Sequence, residues 1–120
     1  MSGTLRPQAA LRERWHRLPE RVRHLPVPSR VILSNRISST HTVIEVNGRD
    51  VPGLLHRLTH TLADLGLQIQ TATVSTYGER VVDVFYVKDL FGLQVHNEAR
   101  LATIRDRLLS VFDQLGEAAE

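Results

Sequence analysis

A chain of 120 residues, 42% of them hydrophobic and none of them cysteine, has the length for a single core. It would bury roughly two-thirds of its unfolded surface, and it excludes a disulfide scaffold, a thiolate zinc site and a cysteine nucleophile. The net charge of +2 is uneven: residues 1–30 carry seven arginines against Glu13 and Glu20, or +5, and residues 31–120 carry −3.

Residues 1–28 read as a basic N-terminal helix and inter-domain linker. Leu11, Trp15, Leu18 and Val22 recur at helical spacing among Arg12, Arg14 and Arg17. Pro7 suits an early helical position, Pro19 interrupts the helix, and Pro26-Val27-Pro28 is a rigid extended join. One narrow apolar stripe cannot fold alone, so this helix needs a surface to dock on. A basic arm can touch nucleic acid or an anionic membrane, but a solvated helix and linker is the simpler reading. No apolar run approaches the roughly 18 residues of a membrane span, and Met1–Thr4 lacks the apolar stretch of a secretory signal. A cytoplasmic setting is the expectation.

Arg30-Val31-Ile32-Leu33 and Thr42-Val43-Ile44-Glu45-Val46 read as two strands of a hairpin, followed by a turn at Asn47-Gly48-Arg49-Asp50. Pro52 then suits the first turn of a helix with Leu54, Leu55, Leu58, Leu62 and Leu65 on one face, and Gly66 ends it in the left-handed conformation. Leu67–Thr76 reads as a strand, Tyr77-Gly78-Glu79 as a turn, Val81–Val87 as another strand, and Phe91-Gly92 as a further turn. Asn97 is placed to cap a last helix that directs Leu101, Ile104, Leu108, Val111, Phe112 and Leu115 inward and stops at Gly116, leaving 117–120 as a tail.

The order ββαββα predicts an α+β fold, a four-stranded antiparallel sheet with two helices on one face. A ferredoxin-like βαββαβ unit carries its last strand after the second helix. Here the leading strand at 30–35 takes that slot, giving a permuted version of the same sandwich.

Val46–Leu55 is the candidate site. It leaves a strand and opens a helix, where free backbone N–H groups favour anions. Gly53 admits a ligand close to the backbone, and Asn47 and Asp50 offer acceptors for an ammonium group, so the stretch suits an α-amino acid. From spacing alone an ordinary helix start is the favoured reading, with Asp as cap, Pro leading and Gly filling a tight join.

Asp50-Val51-Pro52-Gly53-Leu54-Leu55, followed by Leu62-Ala63-Asp64-Leu65-Gly66-Leu67-Gln68-Ile69, resembles the ACT domain, a ferredoxin-like module that senses small molecules. Thr42–Val46, Ala72–Arg80 and Val82–Leu90 narrow the likeness to the C-terminal ACT domain of bifunctional uridylyltransferase/uridylyl-removing enzymes, which modify the PII nitrogen-regulatory protein. Pro28-Ser29-Arg30-Val31 resembles the strand that precedes that domain, and the likeness covers residues 26–112.

The resemblance implies an ACT domain at 29–116 that reads an amino acid, glutamine above all, between two ACT domains, either a sister domain or a homodimer. It implies ligand contacts from Asn47, Asp50, Gly53 and Leu54 on one side and from Leu67, Ile69 and Gln70 on the other. It also implies PII as a partner through the parent enzyme. No paired-Asp nucleotidyltransferase signature and no His-Asp metal motif is present, so no catalysis and no cofactor is expected of the chain itself; the parent enzyme would need a divalent metal. Two departures stand out. Gly48 occupies a position where the family often has Ala, which would loosen the loop, and Val51 stands where a charged residue is common.

His56 and His60 lie four apart on the first helix, away from the leucine stripe and without the Glu of a zincin motif, so no metal site is expected. Asp83 is the odd residue of its strand, in phase with Val81, Phe85 and Val87; capping a sheet end or pairing with Arg80 are the expectations for it. Two other classes compete with a sensor. An RNA-recognition domain shares this topology but needs aromatics two apart on one sheet face, whereas Phe85 and Tyr86 are adjacent and point oppositely. A stand-alone interaction or sensor domain without a catalytic partner in cis is the remaining alternative.

Overall fold

The structure is a computed structural model and describes residues 27–119. The N-terminal helix expected before Pro26 lies outside the described residues. Strands β1 (Arg30–Ser34) and β2 (Thr42–Arg49) are followed by helix α1 (Leu54–Asp64), strands β3 (Gln68–Tyr77) and β4 (Arg80–Lys88), and helix α2 (Glu98–Ala119). The sheet order is β1-β2-β4-β3 and every neighbouring pair is antiparallel. β1 thus fills the outer place beside β2, as the permuted sandwich requires.

Strand phase decides which side chains meet the helices. Val31 on β1, Ile44 and Val46 on β2, and Val81, Phe85 and Val87 on β4 are buried against Leu54, Leu58 and Leu62 of α1 and Ile104, Leu108 and Val111 of α2. Each such side chain stabilises the fold by about 1.5–3 kcal/mol relative to its exposed state. Tyr86 and Phe85 fall on opposite faces of β4, as their adjacency requires.

The helix ends follow from local chemistry. Past Asp64, the Gly66 N–H donates to Ala63 O and the Leu67 N–H to Leu62 O, both at 3.0 Å. With Gly66 at φ 77°, this is a Schellman closure. At the start of α2, Asn97 Oδ1 accepts from the Arg100 N–H at 2.9 Å. The lead into α2 is tied to the β1–β2 connection: Thr42 Oγ1 donates to Asn35 Oδ1 at 2.6 Å and accepts from the Val95 N–H at 2.8 Å.

Three sequence expectations change. Asn47–Arg49 is strand rather than turn, because β4 begins early enough at Arg80 to pair with all of it, setting Asn47 opposite Val82 and Gly48 opposite Val81. α1 begins at Leu54 with Gly53 as its N-cap at φ 81°, so Pro52 precedes the helix rather than lying in its first turn. α2 runs through Gly116 to Ala119. One helical glycine costs about 1 kcal/mol relative to alanine, and the helix-forming residues that follow let the helix continue.

Candidate functional site

The end of β2, the start of α1 and the part of the β4–β3 pair toward its connecting turn meet at one edge of the sandwich. Asp50 closes β2 by donating its N–H to Glu79 O at 2.8 Å, which ties the loop to the β3–β4 turn. Val51-Pro52-Gly53 then turns the chain, with the Leu54 N–H on Val51 O at 3.2 Å. Only glycine adopts the φ of Gly53 without strain, and a Cβ there would meet nothing within 4 Å, so the backbone is open to approach. No side chain among the described residues caps α1, which leaves first-turn N–H groups and the positive end of the helix dipole for an anionic partner.

Below this loop is a cavity of about 260 Å³. Val51, Leu54, Leu55, Val74 and Val81 form its apolar walls, and Asp50 and Asp83 bring two carboxylates to it. Asp83 sits on the helix-facing side of β4, between Val46 of β2 and Val74 of β3. It is 1% exposed, and its Oδ1 has no hydrogen-bond partner among the described residues. Burial, with a smaller contribution from the Asp50 charge, raises the Asp83 carboxyl from 3.8 to about 6. Its pairing with Arg80, expected from the sequence, does not form: the two are an odd number of residues apart on one strand and project to opposite faces.

The structure brings Asp50, Gly53 and Leu54 together at this cavity. Asn47 is elsewhere, on the sheet face away from the helices, where its Nδ2 donates to Glu45 Oε2 at 2.8 Å. Leu67 is buried in the core, Ile69 packs against it, and Gln70 is exposed at a register shift in β3. These three stand at the start of β3, whereas the cavity takes its wall from Val74 near the strand's other end. Within one chain the two groups therefore do not meet.

Sequence reasoning missed Val74, Val81 and Asp83 as lining residues and gave Leu55, within the candidate segment Val46–Leu55, no ligand role. Leu55 counted as part of the buried stripe, yet it is 42% exposed at the cavity. The signal for Asp83 was present: a lone carboxylate in the inward phase of an apolar strand needs a reason.

A second groove of about 380 Å³ runs between α1 and α2, lined by His56, His60, Asp64 and Arg107 among others. His60 Nδ1 is 3.3 Å from Asp64 Oδ2, with both side chains mostly exposed. Among the described residues, no three His, Asp or Glu side chains are grouped to hold a metal ion.

Residues 37–114 match the family model described as the ACR family N-terminal ACT domain. The chain belongs to the ACT-domain family. Over 114 residues, 95% of its length, it is 55% identical to a bifunctional uridylyltransferase/uridylyl-removing enzyme of Rhodospirillum rubrum. It is 56% identical to the enzyme of that name from Azospirillum brasilense over 91% of its length, and 52% identical to that of Gluconobacter oxydans over 79%. The chain spans only 10–12% of the length of these relatives. No solved structure matches it. The family match begins beyond β1, so the strand completing the sheet of this ACT domain precedes the matched segment.

Proposed function

We propose that this ACT domain is a regulatory amino-acid sensor, with glutamine as the favoured ligand, and that it is the C-terminal ACT domain of a bifunctional uridylyltransferase/uridylyl-removing enzyme. In that role it sets the balance between uridylylation and deuridylylation of the PII nitrogen-regulatory protein in the cytoplasm. The observation that carries the reading is the cavity under Asp50–Leu55, where an open glycine and an uncapped helix start stand beside carboxylates. The α-carboxylate of the ligand would lie on the N–H groups at the start of α1, and its ammonium on the acidic side.

The sheet supports completion of the site by a second ACT domain, from a sister domain or a second copy. β3 is an edge strand, with Val74 48% exposed on the helix-facing side. Antiparallel pairing of two such edges places the start of one β3 beside the end of the other. Leu67, Ile69 and Gln70 of the second domain would then stand near Val74 and the Asp50–Leu55 loop of the first. A ligand at this junction regulates only through its preference for one arrangement of the two domains.

Calorimetry with L-glutamine on the chain together with its sister ACT domain tests the reading. Saturable binding is expected, and Asp50→Ala should weaken it. No heat from glutamine or related amino acids with both domains present would overturn it.

A further inference from the structure

Asp83 is unusual for a small sandwich core. It lies between the sheet and α1, is 1% exposed, and leaves Oδ1 without a partner among the described residues. A buried acceptor with no donor destabilises the fold, and proteins seldom keep one without a use. Its surroundings show which use fits. The cavity it lines is otherwise walled mainly by valine and leucine, and among the described residues the only other carboxylate there is Asp50, of like charge. Among the described residues no lysine or arginine lines the cavity, and the one basic side chain there is His56, on the exposed face of α1.

Two carboxylates facing a small apolar cavity, with no lysine or arginine beside them among the described residues, form a receptor for a cationic hydrogen-bond donor. A divalent ion is a poorer fit than an ammonium group, because among the described residues no third side chain, His56 at the rim included, is grouped with the two carboxylates to hold a metal. Asp83 also lies below the start of α1, so a ligand bridging the two would present its negative end upward and its positive end downward. That is the polarity of an α-amino acid.

We infer that Asp83 is the residue that recognises the α-ammonium group of the ligand, with Asp50 as a weaker, solvent-exposed auxiliary. The inference rests on the amino-acid-sensing reading and deepens it: the discriminating contact is on β4, outside the Asp50–Leu55 loop. The site would then reject compounds lacking the ammonium group, because they leave the buried carboxyl unpartnered.

The test compares L-glutamine with glutaramic acid, the same molecule without its α-ammonium. Both are titrated calorimetrically at pH 7.5 into the two-domain assembly described above, and into its Asp83→Asn and Asp50→Asn forms. Asp83→Asn should weaken glutamine about thirtyfold, as expected for a lost charge-assisted contact, and Asp50→Asn only about threefold. Glutaramic acid should bind the parent and Asp83→Asn within a factor of two of each other.

If glutamine binds the parent and Asp83→Asn equally, Asp83 is not the recognition residue, while the sensing reading survives. If the parent binds no amino acid, both fall. A readout independent of the variant is the Asp83 carboxyl carbon followed by NMR. Saturating glutamine should lower its pKa and glutaramic acid should not; a pKa unmoved by glutamine overturns the inference.

Discussion

Gly48 of β2 lies directly beneath the ring of Phe112 on α2, so close that a Cβ at position 48 would overlap ring atoms Cε1 and Cζ. Gly48 is a strand residue paired with Val81 and not part of a ligand loop, and its missing side chain seats α2 on the sheet. Gly48→Ala should therefore destabilise the domain by about 1–3 kcal/mol through overpacking. Urea denaturation measures this. Adding Phe112→Leu to Gly48→Ala should recover a substantial part of the loss. Equal midpoints for Gly48→Ala and the parent would mean that the ring gives way freely.

Thr42 is fully buried and its hydroxyl serves two partners, Asn35 and the Val95 N–H. Gln94 reinforces the same junction, its Nε2 lying 2.7 Å from Ser38 O and 3.0 Å from His41 O. Thr42→Val keeps the shape but strands a buried N–H, so a loss of about 2 kcal/mol is expected, with Thr42→Ser losing less. Thermal unfolding of both variants at one pH decides it. If valine and serine were equivalent, the hydroxyl would not hold the junction.

Local signals were legible where they act alone. The phase of Ile44 and Val46 against Phe85 and Val87, the left-handed stop at Gly66 and the cap at Asn97 all appear as patterns within a few residues. Expectations failed where distant segments decide. Whether Asn47–Arg49 turns or pairs depends on where β4 starts. Whether Leu55 is core or cavity rim depends on how far β3 extends beyond the cover of α1. The site divides in the same way. The Asp50–Leu54 loop is contiguous and readable, whereas Asp83 gains meaning only when β4 is folded beneath that loop.

The turn after β4 presents Leu90, Phe91 and Leu93, which are 70%, 87% and 63% exposed. It is not a loose loop: Asp89 Oδ1 accepts the N–H groups of Phe91 and Leu93 at 2.8 and 3.0 Å, and Gln68 at the start of β3 donates to Asp89 O. A rigid apolar knob beside the β3 edge suits a partner domain arriving along that edge. Phe91→Ser should leave the unfolding midpoint nearly unchanged, within about 0.5 kcal/mol, because nothing among the described residues covers the ring. It should weaken pairing with a second ACT domain by more than about 1 kcal/mol in sedimentation equilibrium. Unchanged association would remove the knob from the interface.

Asp83 also makes a prediction about stability. Its folded carboxyl titrates near 6, above the ordinary 3.8. Between those values the native state holds more protons than the unfolded chain, so this group's contribution falls as pH rises. Its contribution is fully retained below about pH 3.8 and is lost as pH rises through 6, a difference of at most about 3 kcal/mol. Asp83→Asn removes the titration. The stability of Asp83→Asn minus that of the parent, from urea midpoints in the absence of ligand, should therefore rise between pH 4 and about 7 and then level off. Asp50→Asn removes the second cause of the shift and should move that rise toward lower pH. Saturating ligand should reverse the sign, since an ammonium partner stabilises the ionised carboxylate and makes the parent the more stable form at neutral pH. A stability difference that stays flat with pH would show that the carboxyl meets solvent, and the buried site would have to be abandoned.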